Sequence, residues 1–170
     1  MIAQTFGARR AFILENTRLQ SPPHTPELAL HLADEMLPIW RMTEEALAEI
    51  GLPPPFWAFA WAGGQALARY VLDRPETVAG KRVIDFASGS GIVGIAAMKA
   101  GAAHVLAADI DGFCGAALKI NAEANGVEVD FTDRDLLDAP PPPADLILAG
   151  DICYEKPLAE KVMAWLAAGR

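Results

Sequence analysis

Five small residues at positions 87–91, Ala-Ser-Gly-Ser-Gly, join a short apolar segment to an apolar stretch long enough to form a helix. Glycine is needed where a backbone turns at positive φ and where a ligand must lie close to the main chain. The start of the following helix adds N–H groups that have no intrahelical partners. The order differs from the three-glycine dinucleotide fingerprint, because Ala87 takes the first small position before Gly89, Gly91 and Gly94. The turn is a weak signal by itself, since a tight turn can have this composition and bind nothing.

Carboxylates follow the next two predicted strands. Asp109 ends the second strand about 20 residues after the glycine turn, where a carboxylate can accept hydrogen bonds from both hydroxyls of a ribose. We assign Asp111 to the N-cap of the next helix, which is a structural task. Asp135, after the third strand, could accept a hydrogen bond from an adenine amino group. Asp133 and Asp138 could equally be solvated carboxylates of a loop.

The fourth predicted strand leads into Gly150-Asp151-Ile152-Cys153-Tyr154. Gly150 allows close approach of the backbone, and Asp151 and Tyr154 would project at the edge of the sheet where a substrate nucleophile enters. The alternative for Asp151 is a cap on the helix that follows. Cys153 has no evident partner base, so we expect it to be a small packing residue.

Strands and helices alternate through the second half of the chain. This pattern predicts an α/β fold of right-handed βαβ units, with a parallel sheet covered on both faces. The carboxyl ends of parallel strands share one edge, which brings the glycine turn and the carboxylates together. The predicted strands are 82–86, 104–109, 127–132 and 145–149, and the predicted helices are 63–73, 92–100, 113–124 and 157–168.

The N-terminal segment, residues 1–75, is expected to be a helical cap on a cofactor-binding core of residues 80–170. Thr25 could cap a helix that has Pro26 at its first position. Apolar residues then recur at roughly helical spacing, at Leu28, Leu32, Met36 and Leu37. A second helix is predicted over residues 43–50, and Arg9 and Arg10 before both are expected to be solvated.

An aromatic run at residues 56–61, Phe-Trp-Ala-Phe-Ala-Trp, follows the first of two proline clusters. Packing is the expected role of Trp57 and Phe59. Alternatively, Phe56, Trp57 or Phe59 could hold an amine-bearing side chain by a cation–π contact.

Composition limits the possible classes of function. The chain has 170 residues, of which 52% are apolar, and a formal net charge of −8. One domain, residues 1–170, is expected at this length, and the acidic balance argues against a nucleic-acid partner. Because there is neither an 18-residue apolar run nor an N-terminal stretch of signal-peptide character, we expect a soluble cytoplasmic protein without a membrane partner. The two cysteines and three histidines lack metal-ligand spacing, so no metal is expected.

Three segments together, Val83–Gly91, Asp109–Asp111 and Asp151–Tyr154, resemble the seven-β-strand (class I) S-adenosylmethionine-dependent methyltransferases. The Asp-x-x-Tyr sequence after strand four resembles the protein-lysine methyltransferase branch. The stretch 53–70, PPPFWAFAWAGGQALARY, is similar to bacterial relatives of the electron transfer flavoprotein β-subunit lysine methyltransferase. The similarity extends from about residue 25 onward.

The resemblance implies S-adenosyl-L-methionine as cofactor. The residues implied to bind it are Trp61, Asp85, Ala87, Ser88, Gly89, Gly91, Asp109, Asp135, Leu136 and Gly150. Within this set, the small residues of the turn would cradle the methionine part, Asp109 would hold the ribose and Asp135 with Leu136 would flank the adenine. Trp61 would line the pocket and Gly150 would face the methyl donor. Ala87 departs from the commoner first glycine, and alanine is tolerated there if its φ is negative.

The function implied is an N-methyltransferase for a protein lysine, with electron transfer flavoprotein β subunit as substrate. Asp151 and Tyr154 are the predicted catalytic residues, because they can accept hydrogen bonds from an amine and aim its lone pair. The alternatives are a small amine or a ribosomal-protein lysine as substrate, a nucleotide-binding Rossmann domain without methyl transfer, or a binding module that kept the pocket. A dinucleotide domain has no need for the Asp-x-x-Tyr sequence.

Four parallel strands in the order 3-2-1-4 are visible before Arg170, whereas the resemblance implies seven in the order 3-2-1-4-5-7-6. We therefore expect strands five to seven to be missing from this chain and strand 145–149 to lie at an edge of the sheet. Truncation at the C-terminus is the favoured explanation.

Overall fold

A parallel sheet of four strands lies at the centre of the molecule, whose computed structural model describes residues 5–34, 47, 49 and 53–168. In chain order, the helices and strands are α1 (Phe6–Asn16), β1 (Arg18–Gln20), β2 (Leu30–Leu32), α2 (Ala62–Asp73), β3 (Arg82–Phe86), α3 (Ile92–Lys99), β4 (His104–Ala108), α4 (Gly112–Asn125), β5 (Asp130–Thr132), β6 (Leu146–Ala149) and α5 (Lys156–Ala168). Short 3₁₀ turns lie at Phe56–Ala58, Pro75–Thr77 and Leu136–Asp138.

The strand order in the central sheet is β5-β4-β3-β6, and every pairing is parallel. This confirms the predicted α/β class and the 3-2-1-4 order. Phe86 at the end of β3 stands opposite both Ala108 of β4 and Ala149 of β6. The three strands therefore end level with one another, so the loops that follow them leave the sheet side by side.

Both faces of the sheet are covered, as the continuous apolar strands predict. Val83 and Ile84 are both buried but belong to different apolar clusters, because successive side chains of a strand point to opposite faces. The Val83 cluster includes residues of α2, α3 and α4, whereas Ile84 packs in a cluster with Val162 and Trp165 of α5. The βα units thus place α3 directly behind the glycine turn.

The helix predicted to begin at Thr25 is wrong. Residues 30–32 instead form β2, which pairs antiparallel with β1, with Leu19 opposite His31. Leu28, Leu30 and Leu32 are all buried at spacing two, and Leu28 and Leu32 alone also fit a helix. The deciding contacts come from α4, whose asparagines bind the backbone of this hairpin.

Two asparagines of α4 hold the hairpin. Asn121 accepts a hydrogen bond from the His31 N–H at 2.7 Å, and its amide donates to the Ser90 carbonyl at 2.8 Å. Asn125 accepts from the Ala29 N–H at 3.0 Å and donates to the Ala29 carbonyl at 2.6 Å. The N-terminal segment is therefore anchored to α4, the helix that also binds the Ser90 carbonyl of the glycine turn.

Residues 6–16 form α1, in which Arg9 and Arg10 are half-buried and not fully solvated as expected. Thr5 caps this helix through the Ala8 N–H, and Ile13 is fully buried. Arg10 forms an ion pair with Glu123 of α4 at 3.0 Å. The predicted helix over 43–50, and Met36 and Leu37 before it, lie largely outside the described residues.

Cys114 is buried, as expected, whereas Cys153 is exposed, so the packing role predicted for Cys153 is wrong. Its neighbour Ile152 packs against the cluster around Phe86, whereas Cys153 faces solvent. Among the described residues, no helix has both the length and the apolar character needed to cross a membrane. The same part of the chain has no group of three or more metal-ligating side chains that could hold an ion.

Candidate functional site

The turn between β3 and α3 contains three residues in the left-handed region, with φ values of +56° at Ala87, +51° at Gly89 and +81° at Gly91. The condition given for alanine at this position, a negative φ, is therefore not met at Ala87. A left-handed alanine costs about 1–2 kcal/mol, which the surrounding contacts must offset. Two such contacts are the hydrogen bond from the Ser88 N–H to the Ala108 carbonyl, at 3.1 Å, and that from Gly91 to the Ser88 carbonyl, at 2.7 Å.

Close packing requires glycine at two positions, one at the end of the turn and one in the first turn of α3. A Cβ at Gly91 would overlap the Leu118 side chain of α4. A Cβ at Gly94 would lie 3.0 Å from the Asp85 carboxylate and 3.2 Å from Val105. The start of α3 can therefore approach the sheet, and the turn is held tightly against β3 and β4.

Asp85 is buried at the end of β3, with an exposed fraction of 2%. Its carboxylate accepts a hydrogen bond from the Gly94 N–H at 2.8 Å. Burial raises the pKa of Asp85 to about 7, the Gly94 N–H opposes this rise, and the negative charge of Asp109 adds to it. Asp85 therefore keeps its proton to a higher pH than an exposed aspartate does.

The Asp109 side chain connects the loop that follows β3 with the loop that follows β4. One carboxylate oxygen accepts from the Gly89 N–H at 2.9 Å and the other from the Asp111 N–H at 3.1 Å. A carboxylate has about four acceptor positions, so the half-buried Asp109 keeps capacity for two hydroxyl groups. Asp111 caps α4 by accepting from the Phe113 N–H at 2.8 Å, as the sequence predicts.

The Ser88 hydroxyl is a buried polar group that has no hydrogen-bond partner among the described residues. Ser88 is 6% exposed and stands in the middle of the turn. Buried polar groups in folded proteins are nearly always paired, and an unpaired one requires an explanation. A polar ligand in the turn would supply that partner.

The loop after β6 contacts the start of α2. The Asp151 carboxylate accepts from the Gly63 N–H at 2.9 Å and from the Gly64 N–H at 2.6 Å. A Cβ at Gly150 would lie 3.1 Å from the backbone of Gly64. Asp151 thus caps α2, and the alternative role as a cap on α5 is wrong.

Three exposed aromatic side chains lie near this loop. Phe56 has its ring centre 5.9 Å from that of Trp61 and 6.4 Å from that of Tyr154. The Phe56 carbonyl accepts from the Trp61 indole N–H at 3.0 Å and lies near Gly89, 3.5 Å from the position of a Cβ there. The aromatic run therefore connects the glycine turn with Tyr154.

Trp57 has a different environment from its neighbour Phe56. Its ring is 1% exposed and stacks on Phe113 at a centre-to-centre distance of 5.6 Å. Packing is thus the role of Trp57, which excludes it from an amine-binding wall. Phe59 is half-buried and contacts Trp61 edge-on.

Asp135 and Leu136 follow β5, farther along the same edge. Asp135 caps the 3₁₀ turn through the Leu137 N–H at 2.9 Å, and its other oxygen lies 3.9 Å from the Lys161 ammonium. Leu136 packs half-buried against the cluster around Phe86. The structure thus gives Asp135 local partners and a carboxylate that stays exposed.

Most of the predicted site residues lie in two groups, each held together by hydrogen bonds. Hydrogen bonds link the glycine turn to Asp109, and a second set links the β6 loop to α2. The sequence reasoning missed Gly63 and Gly64, the partners of Asp151. Two adjacent glycines inside a predicted helix are unfavourable for helix formation, and this signal could have singled them out.

Comparisons with known proteins agree with this geometry. The family described as "Ribosomal protein L11 methyltransferase (PrmA)" matches residues 65–158. The electron transfer flavoprotein beta subunit lysine methyltransferase of Xenopus laevis is 42% identical over 158 residues, which are 92% of this chain and 63% of that protein. The Caenorhabditis elegans homolog of that enzyme is 31% identical over an alignment of 181 positions, which covers 98% of this chain and 73% of that protein.

A solved structure shares the fold. Magnesium protoporphyrin IX methyltransferase from Synechocystis PCC 6803, crystallised with bound SAM, has a TM-score of 0.51 and 27% sequence identity. The similarity covers 61% of this chain and 52% of that one. This chain spans 60–63% of the length of the vertebrate relatives that it matches.

Proposed function

Because the chain belongs to the ribosomal protein L11 methyltransferase family of class I S-adenosylmethionine-dependent methyltransferases, we propose that it methylates a lysine side chain of a protein. The observation that carries this proposal is the 42% identity, over 92% of the chain, to a relative named as a protein-lysine methyltransferase. We retain the cytoplasmic location expected from the sequence as part of the proposal.

The residues of the β3–α3 turn fit S-adenosylmethionine. The unpaired Ser88 hydroxyl and the side-chain-free backbone at Gly89 leave a polar cradle, and Asp109 keeps acceptor positions for the ribose hydroxyls. When bound, S-adenosylmethionine supplies a methyl group on a positively charged sulfonium. In this proposal the buried Asp85 and the half-buried Asp109 would supply the carboxyl groups of the cofactor site.

The other cofactor residues take peripheral places in this proposal. Asp135 and Leu136 would flank the adenine from beyond β5, and Trp61 would border the cofactor from the start of α2. Ala87 and Gly91 shape the turn, and Gly150 lets the β6 loop lie against the start of α2. The exposed side chain of Trp61 is fixed by its hydrogen bond to the Phe56 carbonyl.

Asp151 and Tyr154 act on the amine in this proposal. A lysine has a solution pKa near ~10.4 and must lose a proton before its lone pair can attack. Two acceptor positions of Asp151 are used by α2, and the remaining ones are available to the amine because the residue is exposed. The hydrogen bond from the amine would aim its lone pair, and the Asp151 charge would stabilise the methylated ammonium. Tyr154 would supply a second acceptor through its hydroxyl.

The β subunit of electron transfer flavoprotein is the proposed substrate, since the relatives that match most of the chain are named for it. A lysine of a ribosomal protein is the second candidate, because the matching family is described by ribosomal protein L11. The two candidates differ in the protein that accepts the methyl group, and the site residues proposed above serve both.

Labelled S-adenosylmethionine tests the proposal. The protein is incubated with the purified β subunit, with ribosomal protein L11 and with a cell extract, and the labelled products are identified by mass spectrometry. We expect label on a lysine of the β subunit. Asp151→Asn should abolish labelling and leave S-adenosylhomocysteine binding largely intact, whereas Asp138→Asn, at an exposed carboxylate away from the β6 loop, is the matched control.

Two results would contradict the proposal. One is label confined to nucleic acid or to small molecules. The other is binding of NAD without binding of S-adenosylhomocysteine in a calorimetric titration, which would favour a nucleotide-binding domain.

A further inference from the structure

We propose that Gly63 is a positioning residue for methyl transfer, because its N–H and its lack of a side chain together hold the Asp151 carboxylate in place. The inference rests on the proposed function, in which Asp151 receives the amine. It assigns a task to a residue at the start of α2, far from Asp151 in the chain.

Two successive amides bind the two oxygens of one carboxylate. The Gly63 N–H donates to one oxygen of Asp151 at 2.9 Å and the Gly64 N–H donates to the other at 2.6 Å. Both amides belong to the first turn of α2, where N–H groups have no intrahelical partner and a negative charge is favoured. The carboxylate is therefore fixed at both oxygens although the residue is exposed to solvent.

The absence of a side chain at Gly63 is needed for this arrangement. A Cβ there would lie 2.7 Å, 2.9 Å and 3.0 Å from the three carboxylate atoms of Asp151. Ordinary contact begins at 3.4 Å, so the carboxylate would have to withdraw by about 0.7 Å. Gly63 has no positive φ, and the backbone conformation therefore does not require glycine. A side chain at this position would instead displace the carboxylate from its place.

The backbone next to Asp151 is closely packed against α2 as well. A Cβ at Gly150 would lie 3.1 Å from both the Cα and the N of Gly64. The β6 loop and the start of α2 thus meet backbone to backbone, and Asp151 follows directly. Because Trp61 is the N-cap of α2, the same contact ties the aromatic residues to the carboxylate.

The substitution Gly63→Ala tests the inference. Alanine is the better helix former, so the change by itself favours α2. We expect kcat to fall about ten- to a hundredfold, because a displacement of this size misaligns a reacting group. The Kd for S-adenosylhomocysteine should stay within about twofold of the original. Gly7→Ala is the matched control, since a Cβ at this helical glycine in α1 meets nothing within 4 Å.

Introducing Gly63→Ala into a chain that already carries Asp151→Ala separates positioning from a general structural effect. Asp151→Ala is expected to be inactive, so the comparison uses Tm. Adding Gly63→Ala to it should raise Tm, since only the gain in helix propensity remains, whereas in the original chain the same substitution also disturbs the contact with Asp151. An equal change of Tm in both backgrounds, or a Gly63→Ala enzyme with unchanged kcat, would overturn the inference. If Gly63→Ala alone does not fold, the double variant should fold, and its failure to do so would also overturn it.

The inference and the proposed function can fail separately. An original chain that methylates no substrate refutes the function. The non-additive Tm changes of the two substitutions still measure the contact between Gly63 and Asp151, and strictly additive changes would refute that contact.

Discussion

Asp85 should make the stability of the protein fall as the pH rises through neutrality. Its carboxyl group is buried at the end of β3 with the Gly94 N–H as hydrogen-bond donor, and its pKa rises from 3.8 to about 7, mainly through burial. The folded state therefore binds a proton that the unfolded state has already released between these two values. Under this condition the free energy of unfolding decreases with increasing pH.

The magnitude follows from the two pKa values of Asp85. Their difference lowers the free energy of unfolding by about 4 kcal/mol once the carboxyl group is ionised in both states. Part of this decrease has already occurred at pH 5, so the free energy of unfolding falls by about 3 kcal/mol more between pH 5 and pH 8. The loss is complete only above the folded pKa.

Urea unfolding of the original chain and of Asp85→Asn, measured from pH 5 to pH 8, checks this. Asparagine keeps the shape and the acceptor for Gly94 but does not titrate, so the difference between the two unfolding free energies isolates Asp85. That difference should fall with pH by about 3 kcal/mol, whatever constant cost the new amide introduces.

Asp145→Asn provides a control without pH dependence in the measured range. The Arg82 backbone N–H and guanidinium lower the pKa of Asp145 below its ordinary value of 3.8, so its contribution is lost only at still lower pH and should stay constant from pH 5 to pH 8. A pH-independent difference for Asp85→Asn, or one that rises with pH, would refute the assignment of Asp85 as a buried carboxyl group with a raised pKa.

Three further substitutions have definite expected effects on urea-induced unfolding. Gly91→Ala should lower the free energy of unfolding by about 2–4 kcal/mol, because it adds left-handed strain and overlap with Leu118. Ala87→Gly should raise it by up to about 1 kcal/mol, since relief of strain exceeds the entropy gained by the unfolded chain. Trp57→Ala should lower it by about 3–5 kcal/mol, because the ring is buried against Phe113.

Two of these three predictions have a matched control variant. Gly126→Ala has the same left-handed strain as Gly91→Ala, at φ +66°, with nothing within 4 Å, so its effect should be the smaller. Phe56→Ala removes an exposed ring beside Trp57 and should change stability far less than Trp57→Ala does. Equal losses within either pair would contradict the packing described here, and a destabilised Ala87→Gly would contradict the strain at Ala87.

The sequence by itself determined the central sheet and its ligand-binding edge. Continuous apolar strands that alternate with helical segments require a parallel sheet, and parallel strands end at one edge, so the glycine turn and Asp109 had to meet. The N-cap role of Asp111 was equally readable, since capping depends on residues only two positions apart. These features are local or follow from general topological rules.

Tertiary structure alone decided the N-terminal segment and the partner of Asp151. Leu28 and Leu32 fit a helix or, with Leu30, a strand, and Asn121 and Asn125 of α4 select the strand by binding its backbone. The contact between Asp151 and Gly63 joins residues 88 positions apart. A periodic pattern shows which side chains an element can bury, but the surface that buries them and the amides that pair with a carboxylate come from other parts of the chain.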